Sequence, residues 1–343
     1  LETVFNDFLG WTREHQWGYN GRFDKTLDNG TELTVWDSGV LLVEPKSSSD
    51  KDIVISCAVH GNETAPIEIC RDIIQDIIEQ RQPVQHRSLF LIANPASINV
   101  GRRFVEENMN RLFSGAHSRG EVINPERERA AKIEQYVERF FNEAPTGKRR
   151  RYHYDLHTAI RDSKREKFAV YPYTHGKPYN KQQLQFLLAC GVDTVLLNQA
   201  PTTTFSYFSA HQFNAHAFTV ELGKVRPFGD NKRDDFAAAE NAFRQLIGQP
   251  EPDLEPFKPE QHYVFAEAQT INRQNQNFEL NFDDNTANFT AFDKGEVLAV
   301  DGGKEVRAIH DNEHIIFPNA KVALGQRALL TVVRVPTESL ELV

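Results

Sequence analysis

Two stretches of this sequence carry residue types at spacings suited to a metal site. His60 and Glu63 lie three positions apart in IVISCAVHGNETAPIEIC, where an apolar strand gives way to an amphipathic helix. Zinc accepts imidazole nitrogen and carboxylate oxygen, and a catalytic site takes three protein ligands with a fourth position open. An H-x-x-E corner supplies two ligands on one turn. Alone it is a weak signal, because on most loops such a His is solvated and such a Glu only helps the helix start. YHYDLHT offers the third ligand. His153, Asp155 and His157 share one face of a strand, and His157 lies nearest its carboxyl end. Asp155 is placed to orient that imidazole from behind. His153, deeper in the strand, reads as structural.

Water activated by such a metal needs a base. HAFTVELG places Glu221 at the end of another apolar strand, and a carboxylate there is costly unless it has a task or a distant cation. His211 and His216 read as structural. GRRFVEENMNRLF gathers Arg102, Arg103 and Arg111 with Asn108 and Asn110 in a segment without clear periodicity. Guanidinium groups grip carboxylates in bidentate fashion and stabilise developing oxyanions. The competing reading is a surface cluster paired with Glu106 and Glu107.

The elements that must position these residues follow from periodicity. IVISCAV, SLFLIAN, YHYDLHT, KFAVYP, TVLLN and HAFTVELG read as strands. Between them, TAPIEICRDIIQDIIEQ, NPERERAAKIEQYVERFF, KQQLQFLLACG and DDFAAAENAFRQLIG read as helices, the second capped by Asn124 with Pro125 in its first turn. This alternation predicts an α/β fold with a mixed, mostly parallel sheet flanked by helices. Ligands of such sheets bind beyond the carboxyl ends of the strands, where His60, His157 and Glu221 all fall. After Gly248 the Pro- and acid-rich QPEPDLEPFKPEQ leads into short strand-like runs separated by turns. The expected division is therefore a catalytic α/β domain over 1–248, then a linker and a smaller all-β domain over 249–343.

Composition narrows the function. The net charge of −9 argues against nucleic acid, which demands a basic surface. The run Lys148–Arg151 is the one exception, read as a solvated loop before a strand. No apolar run reaches the roughly 18–20 residues that span a bilayer. The amino-terminal stretch lacks the pattern of a secretory signal. Three scattered cysteines, Cys57, Cys70 and Cys190, are expected to be reduced and buried, which suits a cytoplasmic protein.

Taken together, HGNE after a strand, NMNR, a distant DLHT and a strand-borne VELG resemble the zinc carboxypeptidase superfamily. The likeness is nearer its acylase branch, which holds the aspartoacylases and succinylglutamate desuccinylases. DLHTAIRDS, ELGKVRPFG and NPASINVGRRF lie closest to the desuccinylases of the bacterial arginine succinyltransferase pathway. The likeness spans about 53–229, and the trailing β region also suits this branch. It implies that His60, Glu63 and His157 hold one zinc ion per chain and that Glu221 is general base and acid. It further implies that Arg103 polarises the scissile carbonyl and that Asn110 and Arg111 grip a carboxylate of the amino-acid half. Arg161 and Arg226 become candidates for the second carboxylate or the succinyl end. The implied reaction is amide hydrolysis of N-succinylglutamate, a small N-acyl amino acid with about three negative charges at neutral pH. A related aspartoacylase-like zinc acylase, a peptide-cleaving metallocarboxypeptidase and a non-catalytic anion-binding module are the alternatives. Asn108 stands where aspartoacylase-like sequences tend to carry an acid, which leaves its role open. A catalytic tyrosine could be Tyr171, Tyr173 or Tyr207. The β region is expected to shield the active-site entrance.

Overall fold

A computed structural model describes residues 3–47 and 49–343. Helices α1 (Thr3–Asn6) and α2 (Phe8–Glu14) precede strands β1 (Phe23–Thr26), β2 (Glu32–Asp37) and β3 (Val40–Glu44). Then come β4 (Lys51–Cys57), α3 (Thr64–Ile78), β5 (Arg87–Ile92), α4 (Pro95–Asn99), α5 (Pro125–Asn142), β6 (Arg150–Ala159) and β7 (Phe168–Tyr171). They are followed by α6 (Lys181–Ala189), β8 (Thr194–Leu197), α7 (Phe205–Phe213), β9 (His216–Lys224) and α8 (Arg233–Gly248). The rest is strand: β10 (Tyr263–Asn272), β11 (Glu279–Leu280), β12 (Thr290–Phe292), β13 (Val297–Asp301), β14 (Lys304–Arg307), β15 (Glu313–Ile316) and β16 (Arg327–Val335). No described helix is long and apolar enough to cross a membrane.

The strands form one 13-stranded sheet in the order β1-β2-β3-β5-β4-β6-β9-β7-β8-β10-β16-β15-β12, with β11-β13-β14 as a separate small sheet. The expected parallel ladders hold at the centre, where β5, β4, β6 and β9 run side by side in one direction. The margins are antiparallel: β1, β2 and β3 on one side, and β7 against β9 on the other. Central β4 is buried at every position, as a strand covered on both faces must be. One face packs against α2, α3, α6 and α8 and the other against α5 and α7. Helix α7 has no one-sided apolar stripe, since Phe205 to Ser209 are buried at every position, so its sequence gives no helical signal.

The carboxyl-terminal strands do not stand apart. β10 pairs parallel with β8, and β16, β15 and β12 extend the same sheet. Phe168 and Leu196 of the α/β part share an apolar cluster with Phe265, Phe289, Ile316 and Leu330. The basic run Lys148–Arg151 also departs from a plain solvated loop. Arg149 pairs with buried Asp52 through Nε at 2.5 Å, Arg150 with Asp50 and Glu251 at 2.7 Å, and Arg151 donates to the carbonyls of Phe141 and Phe213. Its cations staple strand starts instead of facing a polyanion.

Three adjacent parallel strands, β4, β6 and β9, deliver the chemical residues to one sheet edge. The turn from β4 into α3 is tight. Ala58 takes a left-handed backbone (φ 58°), a conformation found where surroundings over-determine it. Gly61 sits against the backbone of α4, and a Cβ there would lie 2.1 Å from the Ser97 carbonyl carbon and 2.2 Å from Ile98 N. Neither atom belongs to a side chain that can swing away. Gly61→Ala is therefore expected to lower stability by at least about 1–3 kcal/mol, the usual range for overpacking, and to reduce bound zinc by displacing His60. Urea unfolding midpoints and metal content per chain measure the two effects; a variant with unchanged midpoint and full metal would contradict the close-packing account.

Candidate active site

Glu63 holds the N-cap position of α3, yet its carboxylate makes no capping hydrogen bond. It points into a buried cage instead. Oε1 lies 2.8 Å from His60 Nδ1 and 2.7 Å from Arg103 Nη1, while Oε2 lies 2.9 Å from His157 Nδ1 and accepts the Thr158 amide at 3.1 Å. The His60 and His157 rings sit edge to face with centroids 5.0 Å apart. One ligand atom from each of His60, Glu63 and His157 lies within 4.8 Å of the others, and all three residues are buried.

The donor set fits zinc by an internal test. Each imidazole has its Nε2 engaged on the far side, His60 by Asn108 Oδ1 at 2.9 Å and His157 by Asp155 Oδ2 at 2.8 Å. Acceptors there hold the proton on Nε2 and leave the Nδ1 lone pair for a cation. His60 Nδ1 is buried and, despite its nearness to Glu63, has no well-formed hydrogen bond. Two imidazoles and a carboxylate make the protein ligand set of a catalytic zinc site, the kind that keeps a fourth position for water or substrate. The role left open for Asn108 is thereby filled: it orients His60 as Asp155 orients His157.

Electrostatics agree. Burial, then the Arg103 charge, pushes His60 down to about 4, so it is neutral and able to ligate. Burial works against a charge on His157, but Asp155 and Glu63 outweigh it and hold its pKa well above the usual imidazole range. The cage thus demands positive charge beside Glu63, and a divalent cation meets that demand. Burial raises Glu63 as well, yet His60 and His157 prevail and keep it ionised.

Glu221 of β9 is the register partner of His157. It is 6% exposed, and its Oε2 is buried without a hydrogen-bond partner. Burial pushes it up to about 7, with Glu63 and Asp155 adding to the rise and His157 and Arg103 opposing it. A carboxyl near neutrality is suited to proton transfer. Behind the cage, His153 bridges Ser56 Oγ at 2.9 Å and Ser209 Oγ at 2.7 Å, and Ser56 donates to Asp155 Oδ1 at 2.5 Å. His153 is structural, as its depth in the strand implies. Ser56 gives no sequence signal of its own, because only the β4–β6 register places it opposite Asp155.

The segment after α4 closes one side. Gly61 N donates to the Arg103 carbonyl at 3.3 Å, tying this segment to the His60 corner. Asn110 Oδ1 accepts the first amide of α7, Phe205 N, at 3.0 Å, and Arg111 Nη1 donates to the Asn110 carbonyl at 2.9 Å. Two weaker candidates lie elsewhere. Arg161 gives its guanidinium to the carbonyls of Asp284, Thr286 and Pro318, so it fastens the carboxyl-terminal loops and is not free for a carboxylate. Arg226 has an exposed side chain, and its contact with the site is through its carbonyl, which accepts from Thr64 Oγ1 at 2.6 Å. Of the tyrosines, Tyr171 is occupied by the Asn180 amide, whereas Tyr207 stands on α7 and meets His175 Nε2 at 2.9 Å. All three cysteines are free and buried.

Comparison with known proteins places this geometry. Residues 49–247 match the family model for the succinylglutamate desuccinylase/aspartoacylase catalytic domain, and 260–335 match the AstE/AspA barrel-sandwich hybrid domain. A succinylglutamate desuccinylase of Idiomarina loihiensis is 74% identical over 343 residues, covering 100% of both chains. One from Shewanella denitrificans is 48% identical over 340 residues, covering 98% of this chain and 97% of the relative. The crystal structure of the Vibrio parahaemolyticus succinylglutamate desuccinylase superposes with a TM-score of 0.86 at 40% identity, covering 96% of this chain and 95% of that one. That from Chromobacterium violaceum gives 0.83 at 36% identity, with 96% and 98% covered. With a buried His-Glu-His zinc cage and full-length relatives of this kind, the chain belongs to the succinylglutamate desuccinylase/aspartoacylase family, the acylase branch of the zinc carboxypeptidases.

Proposed function

We propose that this protein hydrolyses the amide of N-succinylglutamate to succinate and glutamate, the last step of arginine catabolism through succinylated intermediates. The observation that carries the reading is the zinc cage of His60, Glu63 and His157 set beside Glu221 on the neighbouring strand, in a chain 74% identical to a protein of that name. Three buried free cysteines support a reducing, cytoplasmic setting. The two matched segments support a division into a catalytic region over 1–248 and a linker with β region over 249–343.

When bound, zinc supplies Lewis-acid chemistry, acidifying water and polarising the amide carbonyl. The chain's own residues do the rest. The free oxygen of Glu221 takes the proton from the attacking water as its oxygen bonds to the amide carbon. Arg103, reaching over Glu63, donates toward the carbonyl oxygen as negative charge grows there. Glu221 then hands the proton to the amide nitrogen, the C–N bond breaks, and glutamate leaves with a neutral amino group that protonates in water. Asn110 and Arg111 hold the α-carboxylate of the glutamyl half.

Side-by-side assays with N-succinylglutamate, N-acetylaspartate and a hippuryl peptide test the substrate. Hydrolysis of the first is expected to exceed that of the others by orders of magnitude, whereas cleavage of the peptide alone would replace this reading with a carboxypeptidase. Glu221→Gln is expected to retain zinc and fold while losing about 10²–10⁴-fold in kcat, the usual contribution of a general base; metal analysis and initial rates check both. Asn108→Ala removes the acceptor that fixes His60, and zinc affinity measured by competition with a chromogenic chelator is expected to weaken about 10–100-fold.

A further inference from the structure

Arg327 opens β16, in the region after the linker, where it pairs with Asn272 of β10. Its Nε is buried and has no hydrogen-bond partner. The guanidinium lies over the Phe317 ring, 5.4 Å from the centroid. Phe317 packs on Phe168 at 5.6 Å, and Phe168 is the register partner of Glu221 in β9. Two aromatic rings therefore carry Arg327 from the carboxyl-terminal sheet to the flank of the catalytic carboxylate. The Arg161 guanidinium fixes this approach, because it holds the Pro318 carbonyl beside Phe317 as well as that of Thr286. Asn288 fixes it too, accepting the Lys164 amide through its carbonyl and the Phe317 amide through Oδ1.

Arg327 feels charges of both signs, Glu267 more strongly than Arg103. Burial first, and then the charges of Arg327 and Arg103, depress the pKa of Arg111, while burial depresses that of Arg327, with Glu267 opposing the fall and Arg103 adding to it. The acid whose field favours Arg327, Glu267, is engaged by Thr270, Asn198 and Gln199. Neither Arg111 nor Arg327 forms an ion pair with a protein carboxylate among the described residues. A guanidinium with a buried nitrogen that has no hydrogen-bond partner is unfavourable by itself. Its place here is explained by an anion that arrives from outside.

We propose that Arg327 binds a substrate carboxylate distinct from the one held by Asn110 and Arg111, so that the carboxyl-terminal β region supplies a specificity residue to the active site. This rests on the desuccinylase reading above. Its consequence is that the region does more than narrow the entrance: it counts negative charges on the ligand. Two carboxylates qualify, the distal one of the succinyl group and the side-chain one of the glutamyl half.

The test is a cycle of three substrates against three proteins. N-succinylglutamate carries both carboxylates, N-acetylglutamate lacks that of the acyl group, and N-succinylglutamine replaces that of the side chain by an amide. In Arg327→Gln, kcat/KM for N-succinylglutamate is expected to fall about 10- to 100-fold, as for loss of a charged hydrogen bond, with zinc content unchanged. For the analogue that lacks the bound carboxylate the same substitution should cost less than about threefold, which also tells which carboxylate it is. Arg327→Lys keeps the charge without the planar fork and should fall between, and it carries the same cycle if the Gln variant folds poorly. An equal loss on all three substrates, or none, overturns the assignment of Arg327 alone. A wild-type protein that leaves N-succinylglutamate intact overturns the desuccinylase reading and this proposal with it.

Discussion

The architecture of the site depends on one buried carboxylate. Glu63 is 2% exposed, and taking a carboxylate out of water costs several kcal/mol unless its oxygens are met. Here both are, by His60, Arg103, His157 and the Thr158 amide. These partners belong to three separate stretches: the β4–α3 corner, the segment after α4, and the end of β6, which gives both a side chain and a backbone amide. Removing Glu63 would leave two imidazoles and a guanidinium facing one another with no reason to converge. Its helix-start position also matters. Released from capping, the carboxylate is presented by a rigid first turn, which fixes the spacing to His60 more tightly than a loop could.

Much of this was legible because the chemistry sits on regular elements. His60 and Glu221 each follow or end an apolar run, His157 ends a strand that mixes aromatic and polar residues, and parallel strands with buried faces bring such ends to a common edge. The apolar period of α3 and the Asn-Pro start of α5 are local signals, and both helices form where those signals lie. What escaped depends on register or on tertiary contact. Ser56 matters only because it stands opposite Asp155, and α7 is buried on several sides, which erases its period. Strands β1 to β3 are antiparallel additions that leave the site untouched. The arginines divide on the same principle. Arg103 stays at the site on Glu63, whereas Arg161 is claimed by backbone carbonyls more than a hundred positions away.

The carboxyl-terminal region also shows how a boundary visible in composition can lie within one continuous sheet. The linker after Gly248 is rich in proline and acid, but the strands beyond it pair onto β8 and share an apolar cluster with Phe168 and Leu196. Phe168 in turn faces Glu221 across the β7–β9 ladder. A region so joined cannot rock freely without disturbing the strand that carries Glu221.

Charge balance explains the asymmetry between the two histidine supports. His157 is backed by the carboxylate of Asp155, His60 by the neutral amide of Asn108. Both supports fix the tautomer, so the difference lies in net charge. Glu63, Asp155 and Glu221 already place three acids around one cation site. The substrate brings about three more negative charges, to a protein whose own net charge is −9. A fourth acid at position 108, behind His60, would add to the negative field around the site. An amide there keeps the imidazole oriented and leaves the field of Arg103 undiminished, which favours a small anionic ligand in a protein of net charge −9.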